Sequence, residues 1–257
     1  MALYQQVVNA PYKYVQNMEA SYSSATVVAM AAGQCRDSTN VFDIFINSAI
    51  SLDLTKNGIN GLDTGTVAVS SIYSIYAIMS PLLSNTQDTS GYIASLNTTN
   101  TPFLPPTYSV VRHVAWVVTD SSGNIQKFYQ SGHASERTYW YDTAIQTAAI
   151  TLATSYNTVD LSVGVPPPGG ISNREVVLSG AYTPATAGNS FTLSPTSASI
   201  ATTPNIAPVS GPVISQAFDY QRLVNVGVST GKAAVSIKSS SASDTITMFV
   251  AGYREYL

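Results

Sequence analysis

The sequence is short of charge, cysteine and histidine, and each shortage excludes a class of protein. Charged residues make up only 10% of the 257 residues, well below the usual quarter. Because the net charge is −3 and there is no basic block, electrostatic binding to nucleic acid or to an anionic membrane is not expected. The single cysteine, Cys35, excludes an intrachain disulfide framework and a zinc-ribbon site.

Long apolar runs are also missing. No run approaches the roughly 18 apolar residues of a membrane span, so we expect no membrane insertion. The opening stretch MALYQQVVNAPYKYVQ has neither a basic n-region nor an apolar h-region. We therefore expect no signal peptide and synthesis in a cytosol.

The residues that are present predict a folded protein with a neutral surface. Hydrophobic residues reach 45%, and Ser, Thr, Asn, Gln and 16 Tyr supply the polarity. This is not the composition of a disordered chain, so a sizeable core can be buried. Neutral polar groups cost less to bury than charges, so such a surface suits a permanent interface.

Alternating patterns predict strands in the middle of the chain. Residues 110–119 are apolar on both faces, as in a strand between two layers. The polar turn 120–124 and the alternating residues 125–130 follow, which predicts a β-hairpin. Residues 66–79 (TVAVSSIYSIYAIM) favour another strand, although a helix would bury them equally well.

The predicted fold class is all-β, with an N-terminal arm plus a β-rich domain, followed by a C-terminal β-sandwich or jelly-roll-like domain. Residues 1–30 are either an arm that docks on a neighbouring subunit or a first edge strand. Residues 31–132 form the β-rich module with the central hairpin. Residues 133–257 carry regularly spaced short strands, and their first segment, HASERT (133–138), is predicted to be an exposed connector.

Few residues have the pattern of a catalytic or metal site. His113 lies within a predicted strand, where a structural role is favoured. His133 and Glu136 form an H-x-x-E pair, but no second histidine completes a zinc site. There is no G-x-S-x-G elbow and no phosphate-binding loop. We therefore predict a protein that is not an enzyme, with no catalytic, metal or cofactor-binding residues.

Two groups of side chains leave a carbohydrate-related alternative open. Paired carboxylates can hydrolyse glycosides, but these aspartates lie in turn contexts, where Asp caps its own backbone: Asp37, Asp43, Asp53, Asp63 and Asp120. Aromatic side chains can form a sugar platform, but the core or an interface is the favoured location for Tyr73, Tyr76, Trp116, Trp140 and Tyr141. The candidate interface or ligand aromatics are Tyr4, Tyr12, Tyr14, Trp140 and Tyr141.

Three segments in a fixed order resemble a recurrent module in structural proteins of tailed bacteriophages. They are AAGQCRDSTNVFDI (31–44), NGLDTGTVA (60–68) and RHVAWVVTDSSGNIQKFYQSG (112–132). The later LSGAYTPATAG and the terminal AGYREYL are similar to the β module that follows it in such proteins. The resemblance runs from residue 31 to residue 257, and the shared order of the motifs is its strongest part.

The resemblance implies a virion component without a cofactor, made in the host bacterial cytoplasm. It would be a fibre-like or spike-like appendage on the tail or neck that contributes to host attachment. Its partners would be copies of itself, as a trimer or another cyclic oligomer, and other tail, neck or capsid proteins. One alternative is a decoration or cement protein that stabilises the head. Another is a receptor protein that binds or cleaves a host surface glycan.

Overall fold

Strands are the only regular secondary structure in the residues that the computed structural model describes: 14–81, 90–97, 101–132, 136–167, 175–186, 188–195, 216–225, 227–229 and 232–256. The predicted all-β fold class is therefore confirmed. Within these ranges, no helix has the length and apolar character needed to cross a membrane. The described residues form two compact units. Unit 1 extends to Thr138 and includes Tyr256, and unit 2 is Tyr139–Glu255.

Unit 1 contains eleven strands and the start of a twelfth. They are β1 (Val15–Asn17), β2 (Ala20–Tyr22), β3 (Val27–Met30), β4 (Gly33–Arg36), β5 (Asp43–Ile46), β6 (Ile50–Asp53), β7 (Gly61–Leu62), β8 (Ile72–Met79), β9 (Ser90–Ser95), β10 (Val110–Val118), β11 (Phe128–Ser131) and β12 (Glu136–Thr151). Three sheets have the orders β1-β4-β5, β2-β3-β6 and β10-β8-β9-β7.

The stretch that sequence patterns left open between strand and helix, residues 66–79, is a strand over Ile72–Met79. β8 pairs antiparallel with β10 on one side and with β9 on the other. All of its residues except Ile72 are buried, because both faces of this central strand are covered. A strand covered on both faces has no polar alternation, which explains why periodicity alone left a helix open.

The N-terminal residues 14–30 belong to the sheets of unit 1. β1 is an edge strand beside β4, and β2 is an edge strand beside β3. Between them, Asn17 and Met18 have φ values of +57° and +64°, a conformation that is uncommon for residues with a side chain. These two residues turn the chain from one sheet to the next. Tyr4 and Tyr12 lie outside the described residues.

The hairpin predicted over residues 110–130 forms only at its turn. Thr119 and Ile125 make an isolated antiparallel bridge, and Gly123 has a φ of +82°, which glycine adopts readily. The predicted return strand, however, is hydrogen-bonded to β12 instead of β10. The prediction was wrong on this partner: the Gln126 N–H still donates to the Val118 carbonyl at 2.8 Å, but the strand that follows lies beside β12. The Ile125 N–H donates to the Ala25 carbonyl at 2.7 Å.

The connector predicted to be exposed contains a buried arginine. His133 lies outside the described residues, but Arg137 is only 1% exposed. Its Nη1 donates to the carbonyls of Met18 (3.0 Å) and Val114 (2.6 Å), and its Nη2 donates to the Asn17 carbonyl (2.6 Å). The prediction was wrong for Arg137, because three backbone carbonyls satisfy the buried guanidinium. They belong to the β1–β2 turn and to the irregularity between His113 and Ala115 in β10.

Unit 2 contains the rest of β12 and seven further strands. They are β13 (Asn157–Asp160), β14 (Glu175–Thr183), β15 (Phe191–Pro195), β16 (Gln216–Asn225), β17 (Gly227–Ser229), β18 (Lys232–Ser239) and β19 (Thr245–Tyr256). One sheet of this unit has the order β12-β19-β14-β16. The other has the order β13-β18-β15, with β17 also paired to β18.

The two sheets of unit 2 share a core, as in a β-sandwich. The Tyr182 ring on β14 packs against Phe191 on β15, with ring centroids 4.9 Å apart. The Tyr182 hydroxyl donates to the Asp244 carboxylate at 2.6 Å, and Asp244 is fully buried. Further donors to this carboxylate are the Ala185 N–H (2.7 Å), Asn189 Nδ2 (2.8 Å) and the Ser239 hydroxyl. A satisfied buried carboxylate therefore fastens the β14–β15 connection to the core.

We expect the thiol of Cys35 to be unreactive in the folded protein. Burial raises its pKa to about 12, and the side chain is 1% exposed. Since the thiolate is the reactive form, the thiol should react roughly a thousandfold more slowly than an unperturbed cysteine. Absorbance with an aromatic disulfide reagent, with and without guanidinium chloride, measures this difference. Equal rates in the two conditions would contradict the buried position.

Candidate functional site

The sheet β1-β4-β5 presents an outer face with a built arrangement of side chains. Val15, Cys35, Ile44 and Ile46 point into the core and are at most 3% exposed. Because side chains alternate along a strand, their neighbours lie on the opposite side. This outer face, termed the β4–β5 face, consists of Tyr14, Gln16, Gln34, Arg36, Asp43 and Phe45.

Hydrogen bonds connect the first part of the face. Gln34 Nε2 donates to the Tyr14 hydroxyl at 2.7 Å and to Gln16 Oε1 at 2.8 Å. The Tyr14 hydroxyl in turn donates to Gln16 Oε1. The three side chains therefore hold one another in place across β1 and β4, which fixes the orientation of Tyr14.

An ion pair neutralises the next row of the face. Arg36 Nε lies 2.7 Å from Asp43 Oδ1, and the two side chains are 13% and 10% exposed. Arg36 Nη1 also donates to the Asn40 carbonyl at 3.4 Å. The pairing of these two charges leaves the β4–β5 face with no net charge.

The turn between β4 and β5 is fixed by Asp37. Its Oδ1 accepts from the N–H groups of Val41 (2.7 Å) and Phe42 (2.8 Å), and its Oδ2 accepts from the Thr39 N–H (3.1 Å) and hydroxyl. Burial acts to raise the pKa of Asp37, but these hydrogen bonds hold the pKa below its ordinary value. The carboxylate therefore stays charged and keeps the turn rigid at neutral pH.

This rigid turn presents apolar side chains beside the face. Val41 is 59% exposed, Phe42 is 41% exposed and Phe45 on β5 is 37% exposed. Large apolar side chains that are held outward next to polar anchors are typical of a protein interface. The three residues are termed the apolar rim.

The motif GQCRDST encodes this geometry. A Cβ atom at Gly33 would lie 2.4 Å from the Gln16 carbonyl oxygen, so only glycine allows β1 to approach β4 this closely. The Asp37 carboxylate accepts four hydrogen bonds that close the turn. Asn40, the next residue after the motif, has a φ of +61°, which Asn tolerates better than most residues. The segment that carries the phage resemblance is therefore the segment that builds the β4–β5 face.

Three other candidate aspartates accept hydrogen bonds from their own turns, and Asp63 also accepts one from the Phe103 N–H. Asp53 accepts from the Thr55 N–H (3.0 Å) and hydroxyl (2.7 Å), Asp63 from the N–H groups of Thr64 (2.8 Å) and Phe103 (3.1 Å), and Asp120 from those of Ser122 and Asn124 (2.8 Å each). Hydrogen bonds to Thr55 and Asn124 hold the pKa values of Asp53 and Asp120 below the ordinary range. Asp53 and Asp120 are therefore anionic turn-formers, not general acids, which need a raised pKa.

The candidate aromatics divide between the core and the surface. Tyr73, Tyr76 and Trp116 are at most 3% exposed. The His113 ring packs between the rings of Tyr76 and Trp116, with centroid distances of 5.7 Å and 4.5 Å.

Across the described ranges, no group of three His, Cys, Asp or Glu side chains is arranged to hold a metal ion.

The two aromatic candidates on β12 have different environments. The Tyr141 hydroxyl donates to the Gly164 carbonyl at 2.7 Å, so its polar end is already occupied. Trp140 is 36% exposed, and the exposed Asp142 follows two residues later on the same strand. Trp140 is therefore an aromatic surface residue in unit 2.

The sequence patterns identified Tyr14 but did not identify the exposed apolar residues of the β4–β5 turn and of β5. Phe42 and Phe45 belong to an alternating strand pattern, which does not reveal which side of the strand faces solvent. The sequence did contain one signal, a polar turn before β5 that ends in the apolar pair Val41 and Phe42. Val41 and Phe42 follow a turn-forming aspartate, so a rigid turn that carries apolar side chains was readable.

Comparisons with known proteins give little. No family model matches the sequence, and no curated protein matches it. Among solved structures, the chain is similar to the structure of the infectious bursal disease virus Gx strain (8% identity, TM-score 0.22, 94% of this chain and 65% of that chain). It is also similar to the VP2 subviral particle of that virus (10%, 0.20, 95% and 68%).

A third similar structure is a β-porphyranase of glycoside hydrolase family 86 from the human gut bacterium Bacteroides plebeius (11% identity, TM-score 0.16, 92% of this chain and 37% of that chain). The chain thus spans about two thirds of the virus chains and 37% of the porphyranase. With TM-scores of 0.22 or less, these likenesses carry no argument about fold or function.

Proposed function

We propose that this chain is a non-enzymatic structural component of a tailed-bacteriophage virion, an appendage fixed to the tail or neck. The observation that carries the proposal is the β4–β5 face. There, the motif with the phage resemblance holds an apolar rim outward on a turn locked by Asp37. A surface of this kind is built for protein contact.

The charges of the chain support an assembly role. The polar groups of the face are neutral or paired, since Arg36 is bound to Asp43. Neutral and paired groups cost less to desolvate than isolated charges. The aspartates that would serve hydrolysis are engaged by backbone donors of their own turns. These features favour a permanent structural contact over catalysis.

Copy number in purified particles tests the proposal. Isotope-labelled reference peptides allow the chain to be counted by mass spectrometry relative to the major capsid protein. An appendage in a small ring gives a handful to a few tens of copies per particle, as closed cyclic symmetry requires. Absence of the chain from washed particles would refute a virion role.

The same copy number distinguishes a tail or neck appendage from the alternative, a capsid cement protein. A cement protein that stabilises the head is present at a count near that of the major capsid protein. Such a result would retain the virion assignment and replace the tail or neck location with the shell.

Trp140 favours a second candidate, host glycan binding. An exposed tryptophan beside an acidic side chain can stack on a sugar ring and hydrogen-bond its hydroxyls. This candidate predicts that Trp140→Ala weakens binding to host surface polysaccharide by about tenfold, whereas Trp140→Phe retains most of it. Glycan-array and calorimetric measurements on the full chain check this. No binding by the unaltered protein would remove the candidate.

A further inference from the structure

We propose that Asn57 is a site of spontaneous covalent modification, where the side-chain amide is lost through a cyclic imide formed with the Gly58 nitrogen. We also propose that the fold protects Asn60 from the same reaction. Asparagine followed by glycine reacts readily in this way, because glycine has no side chain to hinder the attacking nitrogen. The chain has two such dipeptides, Asn57-Gly58 and Asn60-Gly61, and both lie in the connection from β6 to the start of β7.

The reaction is a substitution at the side-chain carbonyl carbon of Asn57. The Gly58 nitrogen loses its proton to hydroxide and attacks Asn57 Cγ, so that a new C–N bond closes the imide. The bond from Cγ to the amide nitrogen breaks, and that nitrogen takes a proton from water and leaves as ammonia. A second water molecule opens the imide at either carbonyl, which leaves aspartate or isoaspartate at position 57. Solvent water is therefore the only co-reactant.

The surroundings of Asn57 leave room for this reaction. Asn57 is exposed, as are Lys56 and Ile59, so the amide can rotate towards the backbone without displacing packed groups. The Gly58 N–H donates to the Leu62 carbonyl at 2.7 Å, and the reaction requires this hydrogen bond to open. A Cβ atom at Gly58 would meet nothing within 4 Å. The opening is therefore a local event in a loosely packed segment.

Asn60, in contrast, is held by two strands. Its N–H donates to the Tyr92 carbonyl at 2.7 Å, and its Oδ1 accepts from the Tyr92 N–H at 3.0 Å. Its carbonyl accepts from the Asp53 N–H at 2.9 Å. Gly61 is buried and is paired with β9. The Asn60 amide therefore cannot turn towards the Gly61 nitrogen unless contacts with β6 and β9 break together.

The two dipeptides should therefore react at different rates in the folded protein. Opening an exposed loop costs less free energy than opening residues that are bonded to strands. The local sequences are nearly equivalent, because an aliphatic residue follows each glycine, Ile59 in one case and Leu62 in the other. A difference in rate between the two asparagines then reports the fold, and unfolding should abolish it.

Peptide mapping of the full chain tests the inference. The folded protein is kept in mildly alkaline buffer, and fragmentation mass spectrometry follows aspartate and isoaspartate at positions 57 and 60. We expect the product at Asn57 to form at least about tenfold faster than the product at Asn60. In urea, the two rates should become equal.

Three results would overturn the inference. They are equal rates in the folded protein, a faster reaction at Asn60, and no product at Asn57 in the folded protein. A difference that persists unchanged in urea would overturn the protective role of the fold. The copy number in particles is unaffected by any of these results, so they are distinguishable from failure of the virion assignment.

A conservative variant provides a second measurement. Asn57→Gln keeps an amide at the exposed position, so the fold should be retained. Because glutamine would have to close a larger ring in a less favourable geometry, ammonia release from the folded chain should fall by about tenfold or more. The control Asn124→Gln, at another exposed asparagine of unit 1, should leave the release unchanged. Equal release from Asn57→Gln and the unaltered chain would assign the reaction to another residue.

Discussion

The variant Asp244→Ala should lower the free energy of unfolding by about 3 kcal/mol, because two buried hydroxyls and two part-buried N–H groups lose their acceptor together. The donors are the Tyr182 hydroxyl (2.6 Å), the Ala185 N–H (2.7 Å), Asn189 Nδ2 (2.8 Å) and the Ser239 hydroxyl. Urea unfolding followed by circular dichroism measures the change. Asp142→Ala, at an exposed position of β12, is the control and should change little.

The pH dependence of stability provides a second readout for the same residue. Burial acts to raise the pKa of Asp244, but hydrogen bonds from Ser239, Tyr182 and Ala185 hold it below its ordinary value of 3.8. A lowered pKa in the folded state contributes stability that is present above the ordinary pKa. That stability is lost as the pH falls through the pKa that Asp244 has in the folded protein. Stability should therefore decline below about pH 4, and Asp244→Asn should decline less steeply. Parallel curves for the two proteins would contradict this.

Loss of the buried arginine should have an effect of similar size on unit 1. Arg137→Ala removes three charge-assisted hydrogen bonds, to the carbonyls of Asn17, Met18 and Val114. We expect a loss of about 3 kcal/mol in the free energy of unfolding. We also expect faster hydrogen exchange at residues 14–22, since their turn is tied to the unit through this side chain.

A matched arginine controls for the loss of charge. Arg254 lies 3.4 Å from Glu175 and its side chain is 31% exposed, so Arg254→Ala should cost less than about 1 kcal/mol. Chemical denaturation compares the two variants under the same conditions. If Arg254→Ala is as destabilising as Arg137→Ala, or if exchange at residues 14–22 does not change, the anchoring role of Arg137 is wrong.

The sequence predicted the fold class because local patterns carry it. Turn dipeptides, alternating strands and the absence of helical periodicity all point to an all-β chain, and the structure agrees. β10 was located within a residue of its observed ends, since both of its faces are apolar. These features depend on neighbouring residues, which a sequence displays directly.

Strand partners and buried charges depend on distant residues and were not readable. The return strand of the expected hairpin pairs with β12, which is distant from β10 in the sequence, and the Ile125 N–H before it donates to the Ala25 carbonyl. Arg137 was predicted to be exposed because it lies in the charged segment HASERT (133–138), and charged segments are normally solvated. Its three carbonyl acceptors come from chain segments more than 20 residues away. Long-range contacts of this kind leave no local pattern.

The candidate site was partly readable for the same reason. Tyr14 stood out as an aromatic residue in a polar stretch, and the turn role of Asp37 follows from its Ser and Thr neighbours. That Phe45 shares one face with Tyr14 required the pairing of β4 with β1 and β5. A register between strands cannot be deduced from either strand alone.

Antibody labelling of intact particles by electron microscopy tests the central proposal most directly. Gold-labelled antibody raised against the full chain should bind at one location on the tail or neck. Particles that bind no label, while the chain is found only in the soluble fraction of the lysate, would contradict a virion role.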